Sequence, residues 1–133
     1  MRADEGPKND TVLVVEDDRD IRQLLCLLVE GEFGLDAREA EDGAEALRMI
    51  AEAKPRLVVT DVRMPNLDGI ELVRRLRLAL ATRGLPILVV SASVAARDAA
   101  MLAGADDFVD KPFNADLLAC KIRQQLSRVS AAG

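Results

Sequence analysis

The sequence predicts an α/β fold, a five-stranded parallel sheet with five helices spread over its two faces. Short, wholly apolar runs alternate with longer amphipathic stretches, the pattern of repeated βαβ units. Half of the 133 residues are apolar, yet there are only three Phe and no Trp or Tyr. An aliphatic core of Leu, Val, Ile and Ala suits a parallel sheet buried on both faces. The length fits one domain, able to bury roughly two thirds of its unfolded surface.

The first strand is read at 11–15. Ile21, Leu24, Leu25 and Leu28 then mark one face of a first helix by their i, i+3, i+4, i+7 spacing. Residues 35–40 alternate apolar with charged, as an edge strand does. Ala44, Leu47 and Ala51 mark a second helix, with Asp42 near its start. The third strand is 57–60. The loop MPNLDG follows, punctuated by Pro65 and Gly69, and Asp68 can cap a helix whose inward stripe is Ile70, Val73, Leu76 and Leu80. Pro86 introduces a strand at 87–90. A small-residue helix runs through Ala99 and Leu102 to Gly104, a short strand covers Phe108 and Val109, and Leu118, Ile122, Leu126 and Val129 stripe the last helix. The ends, 1–10 and 130–133, read as tails, leaving 11–129 as the domain.

Composition excludes several classes of function. With a net charge of −5 and no basic stripe, direct nucleic-acid binding is disfavoured. Cys26 and Cys120 are far apart and no histidine exists to complete a zinc set, so both read as reduced thiols. No apolar run approaches the roughly 18 residues of a membrane span, and the N-terminus lacks an apolar signal core. A soluble, cytoplasmic protein is expected. Neither GxGxxG nor GxxxxGK[ST] occurs, which disfavours a nucleotide-binding module.

In an open α/β sheet, ligands bind beyond the carboxyl ends of the strands. Here strand one ends in Glu16 and Asp17, strand three in Asp61 and strand four in Ser91, while strand five runs into Lys111. Each has an ordinary structural reading as a cap, turn former or exposed loop cation. Jointly, however, they bring three carboxylates, a hydroxyl and an ammonium to one sheet edge. Clustered carboxylates stay ionised only beside a compensating cation, and an all-oxygen set suits Mg²⁺. A carboxylate can attack a phosphoryl donor to form an aspartyl phosphate while cations neutralise the transferring group. Asp61 is the expected nucleophile.

These residues lie in segments that resemble the response-regulator receivers of two-component signalling: VLVVEDD at 12–18, VVTDVRMPNLDG at 58–69, LVVSAS at 88–93, GADDF at 104–108 and KPF at 111–113. The resemblance spans nearly the whole domain and implies a flavodoxin-like sheet of strand order 2-1-3-4-5 and a cis Lys111–Pro112 bond. It implies that Asp61 accepts phosphate from a sensor histidine kinase, a phosphotransfer protein or a small acyl phosphate. It further implies that Asp17, Asp61 and the backbone carbonyl of Arg63 bind Mg²⁺ directly and Glu16 through water, and that Lys111 pairs with phosphoryl oxygens. Ser91 would bond the phosphoryl group and draw its loop inward, letting Phe108 turn toward the interior. The switched face would act on a downstream effector or a fused output domain. Such a module is no enzyme beyond its own phosphotransfer and dephosphorylation.

Some positions depart from the family pattern. Glu16 stands for the commoner aspartate, Ser91 for threonine and Phe108 for tyrosine, and the stretch from Ser91 to Gly104 is short enough to leave the start of the fourth helix unplaced. Arg63 lies where its guanidinium can overhang and shield the acyl phosphate. The same position argues against phosphatases that use an aspartyl phosphate, which need a second acid two residues after the nucleophile. Arg97, Asp98, Asp106, Asp107, Lys121 and Arg123 could form ion pairs across a phosphorylation-dependent symmetric homodimer.

Overall fold

A computed structural model describes residues 10–132, with side chains as far as residue 128. The elements in chain order are β1 (Thr11–Val15), α1 (Arg19–Phe33), β2 (Asp36–Ala40), α2 (Gly43–Glu52), β3 (Leu57–Thr60), α3 (Gly69–Leu78), β4 (Ile87–Ser91), α4 (Val94–Ala103), β5 (Asp107–Asp110) and α5 (Ala115–Ala132). All strand pairs are parallel and the sheet order is β2-β1-β3-β4-β5, as the resemblance implies. The Lys111–Pro112 bond is cis.

Successive strand side chains point to opposite faces, so each apolar run feeds two cores. Val12, Val14, Leu57, Val59, Leu88, Val90 and Val109 pack against Leu25 and Val29 of α1 and Leu118, Ile122 and Leu126 of α5. Leu13, Val15, Val58, Ile87, Val89 and Phe108 pack against α2, α3 and α4. Aliphatic side chains fill both cores almost alone. Four helices begin on short polar caps, Asp18, Asp42, Asp68 and Ser93, whose side chains accept from first-turn amides. Ser93 thereby sets the start of α4 at Val94. Helices α1 and α4 end on Gly34 and Gly104, both at positive φ, where a side chain would be strained.

The inward faces of two helices differ from the expected stripes. In α1 the buried set is Arg22, Leu25, Cys26 and Val29, while Leu24 is 53% exposed. The guanidinium of Arg22 finds polar partners inside, and of the expected stripe Leu25 is buried while Ile21 and Leu28 pack half-buried at the edge of the same core. In α2 the inward residues are Gly43, Ala46 and Ile50, with Leu47 only half-buried and Ala44 and Ala51 outside. There Gly43 faces the Leu67 carbonyl so closely that an added Cβ would lie 2.5 Å from it. Leu80 lies beyond the end of α3 and is exposed.

At the ends, β1 begins at Thr11, and positions 1–9 of the expected tail lie outside the described residues. The last helix continues to Ala132, through small helix-compatible residues read as a C-terminal tail. The side chain of Val129 lies outside the described residues. Among the described residues no helix is long and apolar enough to cross a membrane.

Candidate functional site

Parallel pairing brings the carboxyl ends of β1, β3, β4 and β5 to one edge, and the chain places its polar residues there. Asp61 follows β3; its amide donates to the Val15 carbonyl at 3.0 Å, continuing the β1–β3 ladder by one step. Its Oδ1 accepts from the Val62 amide at 2.7 Å, which fixes the carboxylate's orientation. Glu16, one residue past β1, is buried, and its Oε2 accepts from the Asp18 amide at 3.1 Å. The Lys111 ammonium lies between the two acids, 2.7 Å from Glu16 Oε1 and 3.1 Å from Asp61 Oδ2. Carboxylate oxygens of Glu16, Asp17 and Asp61 all lie within 4.8 Å of one another. Beside them a cleft of about 370 Å³ is lined by Asp61, Arg63, Ser91, Ala92, Ser93 and Lys111.

One ammonium among three carboxylates leaves net negative charge. Burial pushes the Glu16 carboxyl above the ordinary carboxylate range, outweighing its hydrogen bonds to Lys111 and Asp18. For Lys111 burial favours the neutral amine, but the hydrogen bonds and charges of Glu16 and Asp61 together hold its pKa above that of a free lysine. The two shifts have different causes, burial for Glu16 and the two neighbouring acids for Lys111. Oxygen donors, excess negative charge and half-open access fit a hard divalent cation such as Mg²⁺.

A family model, the response regulator receiver domain, matches residues 12–123. The chain belongs to that family. Response regulator MprA of Mycobacterium sp. (strain KMS) is similar to it, 45% identical over 121 residues, which are 90% of this chain and 51% of that protein. The chain thus spans about half the length of the curated relatives it matches. Among solved structures, a CheY-like receiver domain protein from Methanospirillum hungatei superposes with a TM-score of 0.85 at 26% identity, covering 95% of this chain and all of that one. The receiver domain of NtrX from Brucella abortus gives 0.80 at 33% identity, covering 87% and 98%. Over the matched residues the chain is a receiver domain of two-component signalling.

The structure of this receiver brings together Glu16, Asp17, Asp61, Ser91, Arg63 and Lys111. Phe108 it places elsewhere. Its ring is already buried in the core beneath Arg97, whose guanidinium carbon lies 5.1 Å from the ring centroid, so an inward turn has no distance to cover from this conformation. Ser91 is buried; its Oγ accepts from the Ser93 amide at 3.3 Å, and its carbonyl accepts from the Lys111 amide at 3.0 Å. Of the charges expected to reach across a dimer, most are paired inside the chain. Lys121 bonds Asp107, Arg97 bonds Asp110, Asp106 bonds Arg77 and Arg128, and Arg123 lies 3.6 Å from Glu32. Both cysteines are free, and burial pushes the Cys26 thiol up to about 11.

Sequence reasoning missed two residues of the site. Gly69 was read as turn punctuation, but it lies against the Asp61 backbone. Arg22 has no part in the expected stripe, although reading α1 from position 22 puts Arg22, Leu25, Cys26 and Val29 in the same i, i+3, i+4, i+7 register.

The raised Glu16 pKa predicts a pH dependence for the metal-free receiver. Because the folded state holds this proton more tightly than the unfolded chain, the cost of burying ionised Glu16 is absent below about pH 4.3 and is fully present above the raised folded pKa. Glu16→Gln removes the titration. The stability of the variant relative to wild type is therefore expected to improve as pH rises from 4 to 7, measured by urea unfolding in chelator. A constant difference across that range would refute the assignment.

Proposed function

We propose that this receiver is a phosphorylation switch in which Asp61 is the acceptor. The observation that carries the reading is the convergence of Asp61, Glu16, Asp17 and Lys111 beside a cleft that Ser91 also lines. An Asp61 oxygen attacks the phosphorus of a phosphohistidine or an acyl phosphate. The new O–P bond forms as the donor's bond to phosphorus breaks, and that electron pair leaves with the donor. Asp61 Oδ1 is anchored by the Val62 amide, so the attacking carboxylate is held in one orientation. Glu16, Asp17 and Asp61, with the Arg63 carbonyl, are the residues that would hold Mg²⁺. When bound, that ion supplies positive charge beside the phosphoryl oxygens.

Lys111 turns from Glu16 and Asp61 toward the new dianion, and Ser91 exchanges its local bond for a phosphoryl oxygen. Those new contacts bias the loop from β4 to α4 and the face beyond it. The Arg63 side chain shields the acyl phosphate from water. An apolar patch of Ile21, Leu24, Ala92, Pro112 and Phe113 adjoins Lys111 and suits a helix of the histidine-bearing donor, a sensor kinase or phosphotransfer protein. The output goes to an effector protein or a fused output domain in the cytoplasm. Self-association through the face of α4, β5 and α5 would have to break the internal ion pairs that now engage those charges.

Incubation with Mg²⁺ and acetyl phosphate, followed by intact mass, tests the reading. One added phosphoryl group is expected on wild type and none on Asp61→Asn or in chelator. If wild type stays unmodified by acetyl phosphate and by a panel of kinases, Asp61 is not an acceptor and docking independent of phosphate replaces this reading. In the same assay Arg63→Ala is expected to lose its phosphoryl group faster than wild type; equal rates would remove the shielding role.

A further inference from the structure

Arg22 is a buried cation facing the end of β1. Its Nη1 donates to the Glu16 carbonyl at 2.8 Å, and its Nε donates to Glu39 Oε1 at 2.7 Å. The pairing of β1 with β2 and β3 stops at Val15, so Glu16 lies one step past the regular ladder. On its other side the Glu16 amide still donates to the Ala40 carbonyl at 3.0 Å. The Glu16 carbonyl, buried where the ladder has ended, takes its partner from Arg22, since a buried carbonyl left unpaired is costly.

That carbonyl belongs to the peptide plane joining Glu16 to Asp17. Its orientation sets the direction in which the Asp17 side chain leaves the backbone. The Glu16 carboxylate is held independently, by Lys111 and the Asp18 amide. Asp17 is exposed, and the peptide that carries it is fixed from below by the guanidinium.

We propose that Arg22 is a positioning residue for the divalent-cation site, holding the Glu16–Asp17 peptide so that the Asp17 carboxylate faces Glu16 and Asp61, with Glu39 holding the guanidinium in turn. The inference rests on the reading of those three acids as Mg²⁺ ligands. A purely structural arginine would lower stability without altering the cation affinity of the molecules that remain folded. A positioning arginine changes that affinity, because partners that orient metal ligands govern binding nearly as strongly as the ligands do.

The test uses the full chain as wild type, Arg22→Met, Arg22→Lys and Glu39→Gln. Mg²⁺ binding is measured by calorimetry on unphosphorylated protein, and the Mg²⁺ dependence of phosphorylation by acetyl phosphate is measured in parallel. Arg22→Met is expected to weaken Mg²⁺ binding about 10- to 100-fold. Its half-saturating Mg²⁺ should rise by the same factor, with the rate at saturating Mg²⁺ little changed. Arg22→Lys restores part of the affinity, since an ammonium reaches the carbonyl but cannot also bridge to Glu39. Glu39→Gln has the smallest effect, because the bond to the carbonyl survives. Wild-type affinity in Arg22→Met overturns the proposal; if that variant does not fold, wild-type affinity in both Arg22→Lys and Glu39→Gln overturns it. Failure of wild type itself to bind Mg²⁺ overturns the reading of the three acids instead, and this inference with it.

Discussion

Gly69→Ala is expected to destabilise the receiver by about 3 kcal/mol or more and to impair phosphorylation at the same time. An added Cβ would lie 2.0 Å from the Asp61 carbonyl oxygen and 2.9 Å from both the Asp61 carbonyl carbon and the Val62 Cα. Those are backbone atoms, so no rotamer change relieves the clash. Overpacking that forces backbone movement costs about 1–3 kcal/mol and occasionally more. That is a large part of the roughly 5–15 kcal/mol that holds a domain together. Two further bonds stand in the way of the shift: the Gly69 amide donates to the Val62 carbonyl at 2.8 Å, and Thr60 Oγ1 donates to the Asp61 carbonyl at 2.8 Å. The moving group is the backbone of the acceptor itself, so the fraction that folds should also phosphorylate slowly. Gly31→Ala is the control. A Cβ there meets nothing within 4 Å, and alanine within helix α1 is expected to gain about 0.5–1 kcal/mol. Urea midpoints that move in opposite directions for the two variants would bear out the argument, and equal midpoints would defeat it.

Lys111→Met should separate cation binding from phosphoryl transfer. The ammonium touches two of the three clustered carboxylates and supplies the one positive charge between them. Its removal leaves Glu16 buried beside Asp61 without a cation, so the Glu16 carboxyl should take up a proton still more readily and the metal-free fold should weaken. Added Mg²⁺ then meets a more negative site and should bind more tightly. Transfer responds in the opposite sense, because the ammonium no longer meets the charge that gathers on the phosphoryl oxygens. Loss of one such preorganised donor slows reactions about 10²- to 10³-fold. Calorimetry with Mg²⁺ and a mass-resolved time course with acetyl phosphate at saturating Mg²⁺ measure the two effects. Tighter cation binding with slower transfer is the expected pair. An unchanged rate would reduce Lys111 to a structural counter-ion.

How far the sequence disclosed the molecule depended on which physical signal each residue left in it. Central strands such as Val12–Val15 and Leu57–Thr60 are buried on both faces, so they stand out as unbroken apolar runs. Their polar ends were equally plain, because a polar residue closing such a run has little to do with the core. Helix faces were harder. In α1 and α2 several small or apolar residues compete for one stripe, and the choice was made by an inward arginine and by a glycine against a carbonyl. Neither leaves a hydropathy signal. The role of Gly69 was hidden similarly: among the described residues the positive φ values fall at Gly34, Asn66 and Gly104, and Gly69 is needed for closeness rather than for backbone freedom. The ion pairs of α4, β5 and α5 depend on which elements become neighbours, which charge alone does not specify.

The bond between Lys111 and Glu16 joins residues 95 positions apart. During synthesis, therefore, an emerging chain that already contains Asp61 has an acceptor without its ammonium until the fifth strand has been laid against the fourth. The same holds for an N-terminal fragment cut anywhere between Asp61 and Lys111. Phosphate uptake should thus report on the completeness of the chain, and truncated copies should compete poorly with intact ones for a donor.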